Sequence, residues 1–240
     1  MNPALTIARK EYQLAMRNLG TYIVLGIFLI FTGFYFGNTA FKVGLAELRG
    51  IFGFMHTLFL FFIPALTMGS ITRERHSGTL ELISTLPIRR GHIIWGKFLA
   101  AFGLLKTVLL LSLVYPVLVL LFGSGFDIGA ALSGYLGLLC AGAAYISIGI
   151  FASSLSDNQV LAFILGLAIS AVFYLLGHLG SILSSTLFTR LEFFGFDYHL
   201  QSFFKGVIDT RDLLYFAVVA YIFALLAQMR LQAQNLAQEK

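Results

Sequence analysis

The sequence predicts an all-α integral membrane protein, a bundle of six transmembrane helices with an N-terminal interfacial amphipathic helix and a short cytosolic helix in one loop. Three observations carry this. Of 240 residues, 58% are hydrophobic and only 11% charged, where a typical soluble domain carries about 25% charge. The mean hydropathy is +0.88. The apolar residues come in continuous runs, each long enough to cross a hydrocarbon core of about 30 Å, and not in the alternation of a β-barrel. Lipid cannot satisfy free backbone groups, so such runs must be helices.

The six runs lie at about 21–41, 51–71, 99–122, 131–152, 160–183 and 212–229. Residues 1–20 precede the first. There Asn2 is placed to cap a helix opening on Pro3. Leu5, Ala8, Tyr12, Ala15 and Leu19 share one face, and Thr6, Arg9, Lys10, Gln13 and Arg17 the other, the pattern of a helix in the membrane interface. Pro64 and Pro116 each remove a backbone donor inside a span and predict kinks. The fourth run is rich in small residues (Ser133, Gly134, Gly137, Ala141, Gly142, Ala143, Ala144, Ser147 and Gly149), which predicts close packing at the bundle centre. Gly33 and Gly37 form an isolated GxxxG pair in the first. All these pieces belong to one transmembrane domain over 1–240, with a long cytosolic loop at 72–98.

Basic residues set the orientation. With the N-terminus inside, ten Lys and Arg fall on the cytoplasmic side, five fall outside, and Lys106 is left within the membrane. The positive-inside rule then predicts a multi-pass protein of the cytoplasmic (inner) membrane with both termini cytoplasmic. The net charge of +5 forms no basic stripe interleaved with aromatics, which argues against nucleic acid as a partner. The single cysteine, Cys140, excludes an internal disulfide.

Catalytic chemistry finds no footing. Residues 91–98, GHIIWGKF, imitate a phosphate-binding GxxxxGK loop, but Phe98 stands where Ser or Thr must hold magnesium and no strand precedes them. Lys97 is expected to snorkel to the headgroups. The five histidines show no metal-ligand spacing. Lys106 is the one intramembrane charge and so a functional candidate, although snorkelling offers it another account. The loop after the second run holds a short apolar helix, Thr79 to Leu86, with Leu80, Ile83 and Leu86 at helical spacing, Glu81 on the flank, and Pro87 as its stop. It is too short to stand alone in water and needs a partner protein or the headgroup layer to cover its apolar edge. From 184 to 211 seven aromatics gather, Phe193, Phe194, Phe203 and Phe204 among them, a density that marks the membrane interface. Asp209 is placed to cap the last helix, with Asp212 in its first turn.

The stretch RERHSGTLELISTLPIRRGHIIWGKFLA resembles the signature loop of permease subunits of type-2 ABC exporters. Glu74, Arg75, Gly78, Thr79, Leu80, Glu81, Leu82, Leu86, Pro87, Gly96 and Lys97 match it in order. In GIFASSLSDNQVLAF, Ser153, Leu155 and Gln159 take the family's places, and FGFDYHLQSFFKGVIDTRDLLYF is similar to the gliding-motility-type permeases. The resemblance implies a non-catalytic permease subunit. It would work with two cytosolic ABC ATPase subunits and with a second permease subunit, identical or homologous. ATP and magnesium would bind the ATPases, leaving this chain without cofactor, catalytic or metal site. Glu74, Arg75, Thr79, Leu80, Glu81, Leu82, Ile83, Leu86 and Pro87 become the ATPase-coupling segment, and Phe193, Phe194, Phe203 and Phe204 an outer re-entrant region. The rival expectation is a stand-alone ion- or proton-coupled transporter or channel.

Overall fold

The computed structural model describes residues 3–43, 48–78, 90–122, 127–182 and 191–238. Among them the chain forms α1 (Pro3–Met16), α2 (Leu19–Val43), α3 (Arg49–Thr67), α4 (Gly69–His76), α5 (Arg90–Leu111), α6 (Val114–Phe122), α7 (Ile128–Leu155), α8 (Gln159–Ile182), α9 (Phe196–Phe204) and α10 (Thr210–Gln238), and no strand. Six stretches are long and apolar enough to cross a membrane: Leu19–Thr39, Arg49–His76, Gly91–Leu121, Ile128–Leu155, Gln159–His178 and Thr210–Ala233. Each contains most of an expected span. The third begins at Gly91 instead of about 99, because Gly96 and Lys97 are packed inside the bundle and do not mark its edge.

The small-residue helix α7 is the axis. Its apolar window is 72% buried, against 17% for the first span and 22% for the fifth, which places it at the centre and those two at the periphery. α3, α4, α5, α8, α9 and α10 all pack on it. A side chain at Gly134 would meet Phe52 of α3, at Gly137 Phe203 of α9, at Gly142 Leu105 of α5, and at Gly149 Thr67 of α3. In lipid the gain from such approaches is contact and not exclusion of water, so the missing side chains are what let three neighbouring helices come close. The Gly33–Gly37 pair does less. Gly33 lies within the chain beside Tyr115, and Gly37 faces open space.

Two spans are interrupted, each one turn from a proline. In the third, the carbonyl that Pro116 leaves without its helical donor is that of Ser112. It accepts from the Tyr135 hydroxyl of α7 at 3.0 Å and from Tyr115 N–H at 3.0 Å. The break between α5 and α6 thus sits where the proline dictates. In the second span Pro64 remains inside α3, and the interruption falls later, at Met68. The interruption that follows Pro64 thus falls one turn after the proline.

α1 lies lengthwise and parallel on the first half of α5. Gly96 faces Ala4 and Ile7, Gly103 faces Tyr12, and the Tyr12 hydroxyl pairs with that of Thr107 at 2.9 Å. Ala4 and Ala8 are buried, whereas Leu5 is 60% and Leu19 74% exposed. The packed edge therefore includes Ala8 and Tyr12 as expected and turns Leu5 outward, while Leu19 falls beyond α1, at the start of α2. Asn2 lies outside the described residues.

Overpacking a well-filled helix contact costs about 1–3 kcal/mol. Gly142→Leu and Gly149→Leu are each expected to lower the thermal unfolding temperature of the detergent-purified chain. Gly37→Leu, pointing into open space, is expected to leave it unchanged.

Candidate functional site

At one end of the bundle α4 stops and α5 starts, bracketing residues 79–89. This α4–α5 end is where the sequence places the coupling segment, and its buried polar contacts begin with the break at Met68. A helix start leaves its first N–H groups without partners, which lipid would not forgive. Ser153 of α7 meets that need. Its Oγ accepts from Ile71 N–H at 3.0 Å and Thr72 N–H at 3.3 Å, and donates to the Met68 carbonyl at 2.9 Å. Thr72 Oγ1 donates to the same carbonyl at 2.6 Å. Ser153 and Thr72 are fully buried, so α4 leaves α3 along a direction fixed by a side chain of the central helix.

The next turn of α4 carries the charges. Glu74 Oε1 accepts from Lys97 Nζ of α5 at 2.7 Å, and Glu11 of α1 approaches the same ammonium at 3.5 Å. Lys97 is 4% exposed. It does not snorkel to the headgroups as its place in the sequence suggested: the helix register turns it inward, where a carboxylate from another helix replaces water. Arg75 donates to Asp157 Oδ1 at 2.6 Å and to the Ser154 carbonyl at 3.2 Å. It thereby takes up a carbonyl in the last turn of α7, where positive charge also suits the helix dipole. Gly78, at φ +70°, then ends the helix in the left-handed region that favours glycine. Glu74 and Arg75 thus bolt the incoming stem of the loop to α5, α1 and α7, and Lys97 bolts the outgoing stem.

Glu74 and Arg75 are the coupling candidates whose contacts are visible. Thr79, Leu80, Glu81, Leu82, Ile83, Leu86 and Pro87 lie outside the described residues. The GHIIWGKF segment lies within α5, a continuous helix with no loop of amides to wrap a phosphate. Lys106 is exposed on α5, with no ion pair among the described residues. Phe203 and Phe204 are buried while Phe193 and Phe194 are more than half exposed. The first two belong to α9, seated on α7 where Ser133 Oγ donates to the Phe203 carbonyl at 2.7 Å.

Two buried polar pairs escaped the sequence reading. His199 Nδ1 meets Asp212 Oδ1 at 2.7 Å and its Nε2 meets the Phe193 carbonyl at 2.9 Å, with Tyr215 stacked on the ring at 3.8 Å. His56 Nε2 meets the Tyr145 hydroxyl at 3.0 Å. The only signal for the first was Asp212 in the opening turn of α10. Asp209 does cap that helix, accepting from Arg211 N–H at 2.9 Å. Among the described residues no group of three or more His, Cys, Asp or Glu is placed to hold a metal ion.

Residues 48–189 match the family model described as ABC-2 family transporter protein. No curated protein matches the chain.

Removing one partner of a buried ion pair costs about 3–5 kcal/mol, while replacing both with apolar groups is often neutral. Lys97→Met alone is expected to lower the unfolding temperature sharply, and Lys97→Met with Glu74→Leu to recover most of the loss. Thermal unfolding of the three proteins checks this, and additive losses would contradict the pairing.

Proposed function

We propose, from the premise that this chain belongs to the ABC-2 transporter family, that it is the permease subunit of an ABC exporter, driven through the loop between its second and third spans by a separate cytosolic ATPase. The observation that carries this is the anchoring of both loop stems at one end of the bundle. A segment free to flop would absorb a push. Here Glu74 ties the incoming stem to Lys97 of α5 and Arg75 ties it to the Ser154 carbonyl of α7, so displacement of the loop must be passed to the second and third spans.

On this reading Thr79, Leu80, Glu81, Leu82, Ile83, Leu86 and Pro87 form the coupling helix, whose apolar edge the ATPase covers. Two ATPases bind ATP and magnesium and close on one another. A second permease, identical or homologous, completes the pathway. The ten-to-five distribution of basic residues supports an inner-membrane protein with both termini in the cytoplasm. The α9 region, including Phe193, Phe194, Phe203 and Phe204, then lies at the outer face as the re-entrant element near the exit. The stretch Phe194–Phe216 supports a finer placement with gliding-motility-type permeases.

The stand-alone ion-coupled reading draws on His56 and the His199–Asp212 pair, buried ionisable groups of the kind such proteins use. Vesicles holding the chain alone separate the two readings, since gradient-driven flux without ATPase would favour the second.

Co-expressed with its ATPase, the chain is expected to support ATP-dependent transport that Glu81→Lys with Leu82→Asp reduces at least tenfold, while the purified variant unfolds at the wild-type temperature. Full transport by this variant would contradict the coupling role.

A further inference from the structure

We propose that the groove between α1 and α5 binds the headgroup of an anionic phospholipid through Arg9 and Lys106. The two helices run parallel, with Gly103 against Tyr12 and the Tyr12 hydroxyl on Thr107. One side of their contact is closed by charge: Glu11 reaches across to Lys97, and both are held by α4. The other side is open. Arg9 stands three residues before Tyr12, exposed and on the flank of α1 away from Glu11, and Lys106 stands immediately before Thr107. Its side chain leans toward the N-terminal end of α5, the direction in which Arg9 lies.

Arg9 and Lys106 are exposed, as are Lys10 further round α1 and Arg17 just after its end. None of the four forms an ion pair among the described residues, and the nearest acid, Glu11, is turned to Lys97. The flanking surface is apolar. Leu5 is 60%, Leu99 38% and Leu110 55% exposed, and Leu99 and Leu110 share the side of α5 that carries Lys106. A cation placed beside such a surface in a membrane needs a counter-charge. An occupant with a negative headgroup and acyl chains supplies both halves of the match, as a free anion does not. Lys106 is on this account a lipid ligand and not a charge of the transport pathway. The proposal needs only that the chain spans a membrane.

The test uses the full chain in nanodiscs of phosphatidylcholine mixed with phosphatidylglycerol, with lipids retained on release counted by native mass spectrometry. Phosphatidylglycerol is expected to be retained beyond its share of the bilayer. Arg9→Gln and Lys106→Gln should each lower that preference about fivefold, the factor corresponding to about 1 kcal/mol per basic residue at an anionic surface. Lys106→Arg should keep it, and Arg211→Gln, at the far end of the bundle, should leave it unchanged. The arginine variant reports on the site even should the glutamine variant not fold. The proposal is overturned by retention in simple proportion to the bilayer, by a preference that survives both neutralisations, or by an equal loss in Arg211→Gln. Displacement of the lipid by inorganic phosphate at equal concentration would also overturn it, since it would mark a general anion site.

Discussion

A break in a helix that crosses a membrane exposes donors and acceptors to a solvent that cannot take them, and this one requirement organises the molecule. The second and third spans are both broken, and α7 repairs both. Ser153, near its end, supplies the acceptor for the N–H groups of Ile71 and Thr72. Tyr135, near its beginning, supplies the donor for the Ser112 carbonyl. A helix can serve two neighbours in this way only if they lie against its backbone, and the glycines at 134, 142 and 149 are what admit them.

On the proposed function, the same arrangement suits the loop between those spans to transmit a push. Its incoming stem, α4, is a separate rod joined to α3 at Met68 and held by one serine hydroxyl. Its outgoing stem belongs to α5, which is continuous as far as Leu111. Glu74 and Lys97 tie the rods together beneath the loop. A force on residues 79–89 would therefore meet a base whose junctions with the remainder of the two spans are the two interruptions, each bonded to the same central helix. The ion pair also has Glu11 beside it, which brings α1 into the base.

Much of this was legible in the residues, for reasons that can be stated. Long apolar runs fix the spans because lipid leaves the backbone no alternative. The small residues of the fourth run located the axis, since close approach needs absent side chains. Pro116 marked its break because the lost donor has one defined partner, the carbonyl of Ser112. The partner that completes the interruption after Pro64 was not legible, because it is Ser153, a residue 89 positions away from the proline whose role depends on tertiary packing. Lys97 misled for a related reason: a lysine at a span boundary has two ways to escape lipid, outward to headgroups or inward to a carboxylate. Glu74 lies 23 residues away, across the loop. His199 and Asp212 sit 13 residues apart, on two helices whose crossing no periodicity reveals. The apolar edge of α1 was read one step out of register at Leu5, because a 14-residue helix offers few positions from which to choose a face.

The account turns on whether a nucleotide-hydrolysing protein occupies the loop between α4 and α5. A photo-crosslinking amino acid at Leu82, activated in intact cells expressing the complete transporter, reads this directly. The expected product joins this chain to a soluble subunit that binds ATP, and its yield changes when ATP hydrolysis is blocked. A residue at 82 that labels only lipid, or only this chain, in cells where transport proceeds would contradict the account.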